Sequence, residues 1–127
     1  MKLEDQVISL ELGKKLKELG VKQESLWYWY ICKDETLACF NVPALISYKN
    51  IKQPELAGGS YYSAFTVAEL GEMLPLAYLE QYKGELYHLV HYKTNTLTFD
   101  HQESDKLEAN ARAKMLVYLI KNKFMMF

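Results

Sequence analysis

Between residues 107 and 120 apolar side chains recur every three or four positions, the longest helical period in the chain. Leu107, Ala111, Met115, Tyr118, Leu119 and Asn122 fall on one face of a helix, and Leu116 and Ile120 broaden it to the stripe of a helix lying on a sheet. Asp105 followed three residues later by Glu108 predicts a capping box, and Lys121 and Lys123 sit where the helix dipole favours cations. The pattern predicts a helix over 105–121.

Two shorter helices carry local signals. Ser9 is placed to cap a helix over 10–19 with Leu12, Leu16 and Leu19 on one face, and Gly20 then Val21 fit a Schellman ending. Before it, residues 1–8 read as a lead-in with Val7 and Ile8 packed down. Thr66 and Glu69 form a second capping box, Phe65 can staple onto Leu70, and Pro75 ends that helix.

Elsewhere the period shortens towards two. LWYWYIC and LACFNV, around Lys33-Asp34-Glu35-Thr36, predict a hairpin. With a loop of two or four residues, Trp27, Trp29, Ile31, Ala38, Phe40 and Val42 share the apolar face assigned to the core. Leu26, Tyr28, Tyr30, Cys32, Leu37, Cys39 and Asn41 take the other, amphipathic face. LAYLEQY, ELYHLVHY and TLTFDHQ predict a three-stranded antiparallel meander. Residues 43–65 carry little period, and only 45–51 could add a strand. The helices LELGKKLKELG and TVAELGEMLP, each followed by strands, hint at a loose duplication.

The expected fold is therefore α+β over one domain, 1–127: an antiparallel sheet from the N-terminal hairpin and C-terminal meander, helices mainly on one face, and a long C-terminal helix as cover. A chain of this length buries roughly two-thirds of its unfolded surface.

Charge narrows the partners. A net charge of −1 offers no bulk attraction for nucleic acid or anionic membrane. No apolar run approaches the ~18 residues of a membrane span, and the acidic start MKLEDQ lacks the order of a signal peptide, so the expected location is cytoplasmic. Ten tyrosines are the compositional surplus. They suit half-buried strands, and they also suit a binding surface, because each ring offers area and a hydroxyl at low entropy cost. The candidate interaction surface comprises Tyr28, Tyr30, Tyr48, Tyr61 and Tyr62, with the apolar tail Phe124, Met125, Met126 and Phe127. That tail either folds back beside the last helix, adds an edge strand or enters a partner.

Chemistry is harder to place. On the hairpin, Cys32 and Cys39 lie diagonally at roughly 7–8 Å, too far for a comfortable disulfide, so both read as reduced small hydrophobes. His88 and His91 are three apart, which on a strand sends them to opposite faces and prevents shared metal ligation. Asp100 and His101 lack a nucleophile in any recognisable signature. Lys14, Lys15 and Lys17 read as a solvated face, and Gly58-Gly59-Ser60 as a flexible turn rather than a phosphate cradle. Lys49 and Lys52 near Tyr48, Tyr61 and Tyr62 are the one local mixture of cations and rings that could stack single-stranded nucleic acid. No catalytic, cofactor or metal-binding residues are assigned, and no cofactor is implied.

The pieces SLELGKKLKELGVKQESLWYW, YYSAFTVAELGEMLP and ANARAKMLVYLIKNK resemble, in that order, small uncharacterised proteins encoded in phage and prophage regions of gut bacteria. Proline commonly precedes the threonine of the second helix in those proteins, where this chain has Phe65. The resemblance implies an intracellular, phage-related setting and carries no activity and no catalytic residues. The leading expectation is a small non-catalytic interaction module with a protein partner or itself as occupant. Two alternatives stay open: an enzyme with a site at His88, His91, Asp100 and His101, and weak single-strand binding through residues 48–62.

Overall fold

The computed structural model describes residues 2–51, 58–74, 79–83, 88–92 and 101–123, with backbone alone for 79–83, 88–92 and 101–102. Its elements in order are α1 (Leu3–Gln6), α2 (Leu10–Glu18), β1 (Trp27–Ile31), β2 (Pro43–Ser47), β3 (Ser60–Ser63), α3 (Val67–Met73), β4 (Leu79–Lys83), β5 (His88–Tyr92), β6 (His101–Asp105) and α4 (Glu108–Lys121). The fold is α+β. Its strands divide between two three-stranded antiparallel sheets, ordered β2-β1-β3 and β4-β5-β6. A helix followed by three strands occurs twice, yet the first sheet has its first strand in the centre and the second its middle strand. The duplication hinted at by the sequence is thus one of element order and not of strand order.

Helix ends follow their local chemistry. Ser9 accepts a hydrogen bond from the Leu12 N–H at 3.3 Å. At the other end Gly20 lies at φ 88°, its N–H donates to Lys17, and the Val21 N–H donates to Leu16, the paired bonds of a Schellman motif. Thr66 and Glu69 cap α3 reciprocally at 3.2 and 3.0 Å, and Phe65 and Leu70 are buried in one cluster, as a staple requires.

The last helix departs from expectation at its start. Pairing with β5 keeps 101–105 extended, so α4 begins at Glu108 behind Leu107, which makes no side-chain cap. Asp105 instead accepts the Leu107 N–H at 3.0 Å from outside the helix, and Glu108 turns to Arg112 at 3.2 Å. Burial also runs around more than one face: Ala109, Ala111, Ala113, Met115, Leu116 and Leu119 are all sealed from solvent. Small side chains in the first two turns let α1, α2, α3, β5 and β6 all approach the helix. It is a central post rather than a cover on one sheet face. Around it gather Ile8, Leu16, Val21, Phe65, Leu70 and Leu74.

A polar side chain also packs against this assembly. Asn110, 9% exposed, accepts the Ser9 N–H at 2.8 Å through its Oδ1, tying the start of α2 to α4.

The predicted hairpin is corrected. β1 pairs with Pro43–Ser47, not with LACFNV, and on its other side with Ser60–Ser63. Residues 33–42 fold into turns: Leu37, Phe40 and Val42 donate to the carbonyls of Asp34, Leu37 and Cys39, the Asn41 N–H donates back to the Cys32 carbonyl at 2.9 Å, and Asn41 adopts φ 59°. Asp34 accepts from the Thr36 hydroxyl at 2.6 Å and from its N–H at 3.0 Å, which together hold its carboxyl below the usual range.

The face assignment for β1 is corrected as well. Tyr28 and Tyr30 are buried at 7% exposure, whereas of the face assigned to the core Ile31 is buried but Trp27 and Trp29 are only half-buried. The phenols can be buried because they are served: the Tyr28 hydroxyl donates to the Gln23 carbonyl at 3.1 Å and accepts from the Ser25 N–H at 3.3 Å. Trp29 is not idle, since its indole N–H donates to the Ile8 carbonyl at 2.8 Å.

Candidate functional site

Of the residues expected to form a binding surface, Tyr28 and Tyr30 are withdrawn by burial. Tyr28 meets Tyr61 edge-to-face with ring centroids 5.6 Å apart, and Gly59 lies so close to the Tyr30 ring that a side chain there would overlap it. The Gly-Gly turn therefore makes room for a tyrosine. Burial, with the Cys32 and Cys39 thiols adding, pushes the Tyr30 phenol above its ordinary range.

Tyr48 and Tyr61 remain exposed, but they belong to opposite edges of the first sheet: Tyr48 follows β2, while Tyr61 and Tyr62 lie in β3. They do not form one stacking platform. Lys17, expected to be merely solvated, stands 4.9 Å from the centroids of both Tyr61 and Tyr62, so their near faces already hold a cation. Lys49 is exposed, and Lys52 lies outside the described residues.

The two edges differ in a way that bears on function. The Tyr48 N–H donates to the Leu26 carbonyl at 2.9 Å, and the Ala64 N–H to the Trp27 carbonyl at 2.9 Å. These two bonds set the antiparallel alternation on either side of β1. On β3 the outward groups include the Tyr61 carbonyl and the Ser63 N–H. Lys17 Nζ donates to the first at 2.8 Å and Gln23 Oε1 accepts from the second at 2.7 Å. That edge is closed by side chains.

On β2 the outward positions are Pro43, Leu45 and Ser47. Pro43 has no N–H to leave unpaired, which is where a sheet edge tolerates proline. The Leu45 N–H and carbonyl face away from β1, and no described residue bonds to them. From Leu37 to Tyr48 the chain carries no charge. Val42 is 56% exposed, and Leu26 and Tyr48, side by side at the far end, are 53% and 51% exposed. Proteins commonly guard such an edge with charge. This one is bare.

The histidines lie on strands described by their backbone alone. His88 and His91 sit three apart on β5 and so on opposite faces, as expected; His101 pairs with Tyr92, and Asp100 lies outside the described residues. The backbone register sets His88 across from Asp105. Desolvation raises the Asp105 carboxyl, but bonds from the Leu107 N–H, from Lys114 at 2.9 Å and from Asn110 outweigh it and hold the group below its ordinary range. It is thus occupied in fastening α4 to β6.

Two shallow clefts flank the core. One of about 380 Å³ is lined by Val21, Lys22, Glu24, Phe65, Glu69, Glu72 and Met73. There Lys22 pairs with Glu24 at 3.1 Å, and Glu69 is spent on its cap and on the Leu26 N–H. Another, of about 260 Å³, borders Leu12, Glu103, Lys114, Val117, Tyr118, Lys121 and Asn122. Its described lining contains no histidine. No group of His, Cys, Asp or Glu among the described residues could hold a metal ion, and no described helix is long and apolar enough to cross a membrane. Phe124, Met125, Met126 and Phe127 lie outside the described residues.

The open edge is a feature that the sequence signalled only faintly, through the uncharged run ending in PALIS. The guards of the other edge, Lys17 and Gln23, carry no local signal at all. Comparison with protein-family models, with curated proteins and with solved structures finds no match to this chain.

Proposed function

We propose that this protein is a non-catalytic interaction module that takes up an extended protein segment along the outer edge of β2. The carrying observation is the contrast between edges: β3 is closed by Lys17 and Gln23, whereas no described residue bonds to the outward N–H and carbonyl of Leu45 within an uncharged strand. Strand addition uses those main-chain groups for affinity and the neighbouring apolar side chains for selectivity. Val42, Tyr48 and Leu26 flank the edge and would cover an incoming strand from either end. The nearest supply of such a segment is β2 of a second copy, because an uncharged edge is self-complementary about a two-fold axis. The intracellular, phage-related setting belongs to the same proposal and rests on the sequence resemblance.

Leu45→Pro tests this cleanly, since it deletes an outward N–H that β1 does not use. Ala44→Lys, at an exposed position, adds charge beside the edge. In sedimentation over rising concentration the wild type should self-associate, and both variants should stay monomeric with an unchanged far-UV spectrum. A monomeric wild type that also cross-links to no protein through β2 in cells would refute the proposal. So would association that both variants leave intact.

A further inference from the structure

The loop between β1 and β2 has a second feature, independent of strand capture. Cys32 follows β1 and is 5% exposed, while Cys39 is open to solvent. A tight hairpin would hold them diagonally apart, but the folded loop returns on itself. Residue 32 bridges Phe40, the Asn41 N–H donates to the Cys32 carbonyl at 2.9 Å, and the turn at Asn41 completes the reversal. Cys39, next to Phe40, is thereby carried back beside Cys32 at the end of β1, where the Cys32 thiol donates to the Asp34 carbonyl at 4.0 Å. Both are free thiols, one reachable and one shielded.

We propose that Cys32 and Cys39 are a dithiol oxidation site, which small disulfides such as oxidised glutathione convert to an intramolecular Cys32–Cys39 disulfide. Exposed Cys39 reacts first: its thiolate attacks one sulfur of the small disulfide, forming a mixed disulfide and releasing one small thiolate. The Cys32 thiolate then attacks the Cys39 sulfur and expels the second. The two protons lost by the protein thiols end on the released thiolates, so two small thiols form as two protein thiols are oxidised. Burial of Cys32 keeps another small molecule from capping it, which leaves ring closure as the route out of the mixed disulfide. The neighbouring Cys32 thiol, with desolvation and the Asp34 carboxylate adding, holds the Cys39 thiol above its ordinary range. The first step should therefore accelerate as pH rises through and beyond the usual thiol range.

The test treats the whole chain with oxidised glutathione, alkylates remaining thiols and measures intact mass. Both thiols should disappear together, leaving a monomer lighter by two hydrogens, free of glutathione and restored by dithiothreitol. Trypsin cuts after Lys33, between the cysteines, so the two resulting peptides should stay joined until reduced. Cys32→Ser should trap glutathione on Cys39. The proposal is overturned if the wild type retains a single glutathione, links to another copy, or closes the ring no faster when folded than in denaturing urea.

Discussion

Gly59→Ala separates a turn kept open for a tyrosine from a turn kept open for a ligand. A Cβ built at Gly59 would overlap Cε2, Cζ and the hydroxyl of Tyr30, a ring 7% exposed within the first sheet. The obstacle is a buried ring with two rotatable bonds, so it cannot swing clear as the end of a lysine would. Either the ring leaves its well or the 58–60 backbone retreats, and overpacking of this kind costs about 1–3 kcal/mol. Gly58→Ala supplies the control. Nothing lies near its Cβ, but its φ of 84° imposes a backbone penalty of about 1–2 kcal/mol on alanine. Urea unfolding followed by circular dichroism should show both losses. In a Tyr30→Leu background the Gly59→Ala penalty should shrink by more than half, because the obstructing atoms are gone, while the Gly58→Ala penalty should persist. Equal Gly59→Ala penalties in the two backgrounds, or none in the wild type, would refute the steric account.

Other consequences are open to direct measurement. Asn110→Ala removes the acceptor of the Ser9 N–H from a buried site and should cost about 1–3 kcal/mol in urea unfolding, with amide exchange at Ser9 accelerating before the rest of α2. Asp105 has a folded-state pKa below its unfolded value, so its bonds stabilise the fold above about pH 4 and lose that contribution as pH falls through the depressed value. The stability gap between wild type and Asp105→Asn should thus be flat near neutrality and close under acid; a gap that widens on acidification would contradict the assignment.

Where a feature depended on residues three or four apart, it could be read before any tertiary contact was known. Ser9, Gly20 and the Thr66–Glu69 box sit at helix ends because their side chains or backbones satisfy groups a single turn away. The meander was legible in part for a similar reason: its strands pair with their sequence neighbours, which gives the order β4-β5-β6. However, β6 runs over His101–Asp105 and shares only His101 and Gln102 with the expected strand TLTFDHQ, whose other residues lie outside the described ones. The capping box at Asp105 and Glu108 had the same local form, yet pairing of β6 with β5 competed for that segment and won.

The candidate site depended on choices made over longer distances. Both faces of LWYWYIC are apolar enough to bury, so alternation could mark a strand but not decide which rings faced inward. That choice fell to Gln23 and Ser25, which serve the Tyr28 hydroxyl, and to Gly59, which makes room for Tyr30. Nor could pattern choose between LACFNV and PALIS as partner of β1, since each is a short uncharged run. The turns of 33–42 removed the first and left the second at the edge.

By itself the sequence determined the α+β class, the ends of α2 and α3, and the apolar content of the last helix, all set by interactions within one turn or between neighbouring strands. The tertiary structure alone decided that α4 is surrounded rather than laid on one sheet, that Cys39 returns to Cys32, and that among the described residues one edge of the first sheet is guarded and the other is not. Those outcomes join residues as far apart as Lys17 and Tyr61 or Ser9 and Asn110, and no local period carries information about such meetings.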